Sequence, residues 1–254
     1  MNLPDFHQRP LAVTRADVPK LMGWQVTLPE CRTPLDAWDM QRDDAPLLRS
    51  LFSSFRPRRH LEFGTWQGFG TCLCLESCDA TVWTINLPDG ETKSDGSWAY
   101  GERVVDEKLS PPGAIAANYG VDELGPRTYH RTDAASYIGR LYRERGFGHR
   151  VCQIYCDTRQ WDNSNYPAGF FDSAFIDGGH APEVVASDSR KALQSVRSGG
   201  LMLWHDFCPA PETRDFDSVR GVQDGLAFVW PELSSQLQYC FWINPSWLLM
   251  GIKR

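Results

Sequence analysis

Glu62 stands two residues before the first of three closely spaced glycines in His60-Leu-Glu-Phe-Gly-Thr-Trp-Gln-Gly-Phe-Gly-Thr71. Arg58 to Phe63 reads as a buried strand and Thr71 to Cys78 as a helix. A strand that turns through Gly64, Gly68 and Gly70 into a helix offers bare backbone N–H groups to a ligand. Glycine is needed there because a Cβ would block the approach of backbone to ligand. The dinucleotide spacing G-x-G-x-x-G fails, since a start at Gly68 would need glycine at Leu73. The carboxylate repels a pyrophosphate. It suits a ligand carrying an ammonium or sulfonium group.

Two more stretches carry groups able to move a proton. In Phe170-Phe-Asp-Ser-Ala-Phe-Ile-Asp-Gly-Gly-His180 the apolar run ends at Asp177, and the two glycines permit a sharp turn. Asp177 and His180 are thereby left near the edge of a sheet. Leu201-Met-Leu-Trp-His-Asp-Phe207 does the same for His205 and Asp206. Histidine suits proton transfer because its unperturbed pKa is about 6.5. A neighbouring carboxylate can orient the ring. Ser-His-Asp, P-loop and H-E-x-x-H patterns are lacking.

These groups need elements to hold them. Residues 1 to about 34 are rich in proline and polar residues, with little periodicity. Pro34 to Phe55 has a helical pattern through Leu35, Trp38, Leu47, Leu48, Leu51, Phe52 and Phe55. Further strands are expected at Thr81–Leu87, Arg150–Tyr155, Phe170–Ile176 and Leu201–Trp204. Helices are expected at Thr132–Arg145, at Glu183–Val196 closed by Ser198-Gly-Gly200, and at Val219–Trp230 ended by Pro231. Gln238–Ile243 and Trp247–Ile252 read as two closing strands joined by Asn244-Pro-Ser246. Alternating strands and helices indicate an α/β fold with a parallel sheet, and the closing pair an antiparallel strand near one edge. The reactive groups fall at the C-terminal ends of strands, where open α/β sheets bind ligands.

In their order, the Glu62 glycine turn, Ile-Asp-Gly-x-His and His-Asp resemble the small-molecule group of class I S-adenosylmethionine-dependent methyltransferases, over about residues 59 to 207. The resemblance implies a Rossmann-like doubly wound, mostly parallel sheet and S-adenosyl-L-methionine as cofactor. It implies that Glu62 and the backbone of Gly64, Gly68 and Gly70 hold the methionine end, with Asp177 beside the cofactor. Asn86 stands where an acid usually meets the ribose. Asp157 takes the place of the acid that receives the adenine amino group, with Trp161 near enough to pack on the ring. Asp133 is a rival whose surroundings look helical. His180 and His205 are the candidates for a base, with Asp177 or Asp206 as the orienting partner. A divalent cation through Asp177 and Asp206 is an alternative that lacks a third oxygen ligand, because Gly179 and Phe207 stand where one is expected. The domain plan is an N-terminal arm and helical cap over 1–55 and a methyltransferase domain over 56–254. An insertion at about 88–127, with Trp98, Tyr100 and Tyr119, reads as a lid.

Composition sets the outer bounds. The 254 residues are 42% hydrophobic and 23% charged, with net charge −6 and no long basic run. Nucleic acid is therefore not the expected partner. No apolar run reaches the roughly 18 residues of a membrane span. The first ten residues lack the regions of a signal peptide, which points to the cytoplasm. The eight cysteines form no C-x-x-C pair and read as buried small hydrophobes in a reducing compartment. The expected partner is a small-molecule acceptor, and a homo-oligomer is compatible with the sequence. Two other readings stay open. One is a nicotinamide-dependent oxidoreductase on the same kind of sheet, the other a non-catalytic protein binding the cofactor or a metabolite.

Overall fold

The computed structural model describes residues 11–87, 128–129 and 138–254. The expected insertion with Trp98, Tyr100 and Tyr119 lies outside these residues, as does Asp133. In chain order the described elements are β1 (Ala12–Thr14), α1 (Val18–Met22), α2 (Ala45–Phe55), β2 (Arg59–Phe63), α3 (Phe69–Ser77), β3 (Thr81–Asn86) and β4 (Thr128–Tyr129). They continue with α4 (Arg140–Glu144), β5 (Val151–Tyr155), β6 (Phe171–Ile176), α5 (Pro182–Ser195), β7 (Val196–Trp204), α6 (Asp217–Gln236), β8 (Leu237–Asn244) and β9 (Leu249–Lys253).

The strands form one sheet in the order β1-β8-β9-β7-β6-β2-β3-β5-β4. Its centre is parallel, whereas β9 runs antiparallel to both β7 and β8. The outermost strands are β1, parallel to β8, and β4, antiparallel to β5. The alternation of side chains along a strand decides what faces each layer of helices. In β2, Leu61 and Phe63 join the core that contains Val185, Ala192, Leu226 and Val229 of α5 and α6. His60 and Glu62 point the other way, toward Phe52 of α2 and Thr71 of α3. The same strand thus builds one core and delivers one acid to the opposite layer.

The N-terminal region adds to the sheet and to the core. Besides contributing β1, it buries Arg15, whose guanidinium donates to the carbonyls of Pro245 (2.7 Å), Pro29 (2.9 Å) and Asp43 (3.3 Å). The helix expected from Pro34 is broken into a 3-10 turn at Leu35–Ala37, a π-helical turn at Met40–Asp44, and α2. Trp38 and Asp39 are extended, and the Asp39 carboxylate accepts from the Arg42 amide at 2.9 Å, so the helix has to start again.

Two other boundaries differ from expectation. The helix α6 runs through Pro231 to Gln236. A proline there removes one hydrogen bond, but Leu233 beyond it is fully buried and anchors the last turn. Strand β7 begins directly at Val196 and carries Ser198-Gly-Gly200 inside it. Gly200 fits because a Cβ there would meet Val196 and the carbonyls of Arg197 and Asp172.

His60 is wholly buried, with Nδ1 at 2.7 Å from the Ser173 hydroxyl and no partner for Nε2 among the described residues. Burial pushes its pKa down to about 3. The unfolded chain takes up this proton near pH 6.5 and the folded protein does not, so stability falls as pH drops from 6.5 toward 3. At pH 5 the loss is about 2 kcal/mol. Denaturant melts of the protein and of His60→Leu should show this acid-dependent component in the first and its absence in the second.

Candidate active site

The carboxyl end of β2 opens into the glycine turn. Glu62 is 1% exposed, and its Oε2 accepts from the hydroxyls of Thr71 and of Thr84, the latter at 2.6 Å. Burial pushes the acid up to about 8, even though the two hydroxyls favour its ionised form. Gly70 lies directly over it: a Cβ at this position would collide with Oε1. Gly64, at φ +96°, passes the loop after β6 so closely that a Cβ would strike the Asp177 carbonyl and Gly178. Gly68, at φ +87°, caps α3 in the left-handed region. Trp66, between them, is 49% exposed.

Asn86 holds this turn from the neighbouring strand. Its side-chain oxygen accepts from the amides of Thr65 (3.0 Å) and Trp66 (2.9 Å), and its nitrogen donates to the Leu87 carbonyl at 2.7 Å. Asp157, after β5, is bound by Arg159 through both the amide (2.9 Å) and a forked guanidinium contact, at 2.5 Å for Nη2. That pairing, led by the Arg159 hydrogen bonds, lowers the Asp157 pKa.

Strands β6 and β7 end side by side and bring four expected groups together. The amide of Asp177 donates to the Phe63 carbonyl (2.9 Å) and that of His205 to the Ile176 carbonyl (3.0 Å), which fixes the loops to the sheet. His180 Nε2 lies 3.0 Å from Asp206 Oδ2. His205 Nδ1 lies 3.0 Å from the same Oδ2 and 3.2 Å from Asp177 Oδ1. Its Nε2 meets Asp44 Oδ2 at 3.3 Å.

The two imidazoles differ in environment. His205 is buried, which opposes its charge, but Asp177 and Asp206 outweigh this and hold its pKa well above the ordinary value. His180 is half-exposed. Burial opposes its charge too, and the hydrogen bond and field of Asp206, with Asp177, raise its pKa. Burial would raise the acid Asp206, but His205 and His180 hold it well below the usual carboxylate range. Asp206 itself sits at φ +55°, a left-handed backbone uncommon outside glycine and typical of functional turns.

Asp44, Thr71 and Thr84 were not among the expected site residues. Asp44 comes from the end of the π-helical turn, is fully buried, and also accepts from Trp38 Nε1 at 2.7 Å. The π-turn leads directly into α2 and sets the direction of Asp44 at their junction. For a cation, Asp177, His180 and Asp206 each offer one ligand atom, and the three atoms lie within 4.8 Å of one another. Two carboxylates and an imidazole fit a zinc-like or first-row divalent ion better than magnesium.

The sheet is mostly parallel and doubly wound, with an acid under a glycine turn at β2 and two histidines beside two acids at the ends of the neighbouring strands β6 and β7. The chain belongs to the methyltransferase domain family, whose model matches residues 61–207. No curated protein is similar enough in sequence to match. Among solved structures, the SAH-bound methyltransferase PaMTH1 of Podospora anserina aligns with TM-score 0.51 at 14% identity, over 83% of this chain and 78% of that one. A Staphylococcus aureus protein assigned provisionally as a caffeoyl-CoA O-methyltransferase aligns with TM-score 0.53 at 14% identity, over 94% and 90% of the two chains. At that identity the likeness establishes the fold.

Proposed function

We propose that the protein transfers the methyl group of S-adenosylmethionine to an oxygen of a small molecule. The observation that carries this is the meeting, at one sheet edge, of buried Glu62 under the glycine turn with the Asp177, His180, His205 and Asp206 cluster. Relatives of the same fold support it, one bound to SAH and one assigned to O-methylation.

Methyl transfer from a sulfonium is an in-line displacement. The acceptor oxygen attacks the methyl carbon, the carbon–sulfur bond breaks, and its electron pair leaves with S-adenosylhomocysteine. The protein has to align the two reactants and take the proton of the acceptor hydroxyl. His180 is placed for that task. Asp206 engages its Nε2, which leaves Nδ1 for the incoming proton. His205, buried among Asp44, Asp177 and Asp206, stays charged and keeps the carboxylates in place. Were a divalent cation held by Asp177, His180 and Asp206, it would itself acidify the acceptor hydroxyl, and His180 would serve as its ligand in place of the base.

No helix among the described residues is long and apolar enough to cross a membrane. None of the eight cysteines is in a disulfide, in keeping with a reducing cytoplasmic compartment.

Calorimetric titration with S-adenosylmethionine, S-adenosylhomocysteine and NAD tests the assignment. Micromolar binding of the first two and none of NAD is expected. Binding of NAD alone, or of none of the three by folded protein, would overturn it.

A further inference from the structure

Glu62 stands at one end of a row of buried polar side chains: Thr84 of β3, Thr65 of the glycine turn, Gln153 of β5 and Tyr142 of α4, none more than 3% exposed. The Gln153 amide fixes the direction in which the row donates. Its Nε2 lies 3.1 Å from the Thr84 carbonyl and 3.3 Å from the Ile154 carbonyl, which can only accept, so this end is the nitrogen. Oε1 at the other end accepts, and the Tyr142 hydroxyl donates to it at 3.0 Å. Nε2 also donates to Thr65 Oγ1 at 2.9 Å. Thr65 Oγ1 and Thr84 Oγ1 are 2.6 Å apart, and Thr84 gives its one hydrogen to Glu62 Oε2, so Thr65 donates to Thr84. Every hydrogen along the row thus points toward the acid, and bonds chained in this way polarise one another. The far end is held as well. A Cβ on Gly68 or Gly139 would strike the Tyr142 ring, and the amides of Gly139 and Leu141 donate to the turn carbonyls of Trp66 (2.7 Å) and Gln67 (2.9 Å).

We propose that Tyr142 and Gln153 are positioning residues for the cofactor: acting through Thr65 and Thr84, they fix Glu62 as the acceptor for the ammonium group of its amino-acid end. The assignment rests on S-adenosylmethionine as the cofactor and deepens that reading. Apolar side chains of the same shape could fill this space at little cost to the fold. The oriented row has a different effect, because it aims four donors in succession at one carboxylate. Glu62 Oε1, which neither hydroxyl uses, faces Gly70, where no side chain stands in the way. Loss of the Tyr142 hydroxyl leaves Gln153 Oε1 without its donor and frees the amide to turn. Thr65 is then no longer held to one direction, and Glu62 loses the support of the row.

A binding cycle reads this out. S-adenosylhomocysteine and its analogue lacking the α-amino group are titrated into the protein and its Tyr142→Phe and Thr65→Val variants. The protein should prefer the amino compound by about tenfold or more. Each variant should lose about threefold or more of that preference and bind the analogue as before. In Glu62→Gln, adding Tyr142→Phe should change neither affinity further, because the row then has no acid to act on; the same loss in that background would overturn the proposal. A merely structural row would weaken both ligands alike and leave the preference intact, which would also overturn it, as would equal affinities in the unaltered protein. Should the variants fail to fold, the Gln153 side-chain amide resonance of the unaltered protein decides. It should move further with S-adenosylhomocysteine than with the analogue, and equal shifts would overturn the proposal. Failure of the unaltered protein to bind either ligand would instead remove the cofactor reading on which it stands.

Discussion

His180→Ala should lower kcat by about two to four orders of magnitude and leave affinity for S-adenosylhomocysteine nearly unchanged. The ring is half-exposed at the mouth of the cluster and held by Asp206 at 3.0 Å, so its removal opens no cavity in the core. What is lost is the acceptor for the hydroxyl proton. The pH profile adds an independent sign. Asp206 and Asp177 raise the His180 pKa above its ordinary value of 6.5, against the effect of burial. The base must be neutral to act, so turnover rises with pH through that raised value and levels off above it. In His180→Ala that limb disappears. His205→Ala should behave differently: it leaves Asp44, Asp177 and Asp206 without their shared countercharge, and stability falls together with rate. Equal turnover in His180→Ala and the unaltered protein, measured with labelled methyl donor, would remove His180 from the mechanism.

Glu62→Gln should weaken S-adenosylhomocysteine by about 10- to 100-fold and flatten the dependence of affinity on pH. Glu62 is buried and its pKa stands at about 8, so most of it is neutral at pH 7. A ligand ammonium group nearby favours the carboxylate. Binding therefore releases a proton and tightens with rising pH up to about 8, by at most about tenfold per unit. Folding runs the other way. The unfolded acid ionises near 4.5 and the folded one near 8, so stability drops as pH climbs between those values. The glutamine variant escapes this and should be the more stable protein at pH 8. Lower affinity with higher stability is a combination that a damaged fold cannot give. Calorimetry in buffers of different ionisation enthalpy counts the released proton; none released would refute the argument.

Much of the sheet and most of the cluster were readable from the chain because they rest on local pattern. An apolar run cut off by a glycine or a polar residue states both a strand and the place where it stops, and this held for Phe63 before Gly64, Ile176 before Asp177 and Trp204 before His205. What lay hidden depends on distant partners. Asp44 looks like one acid among several in a polar stretch. Its neighbours His205 and Trp247 come 161 and 203 residues later, and the π-turn that aims it has no periodic signature. Asn86 sits at a strand end, but its oxygen is engaged by two amides of a turn 20 and 21 residues back in the chain. Pro231 reads as a stop by its own chemistry, and only the buried Leu233 beyond it carries the helix on.

The contact between Asp44 and His205 bears on how such an enzyme can change its substrate over evolutionary time. Asp44 and Trp247 both lie outside residues 61–207, the stretch the family shares, while His205 lies within it. Here a flank also supplies part of the electrostatic balance around His205. A graft of foreign N-terminal residues would remove a carboxylate from the His205 ring in the same stroke. The N-terminal segment and the cluster at the strand ends are therefore inherited together.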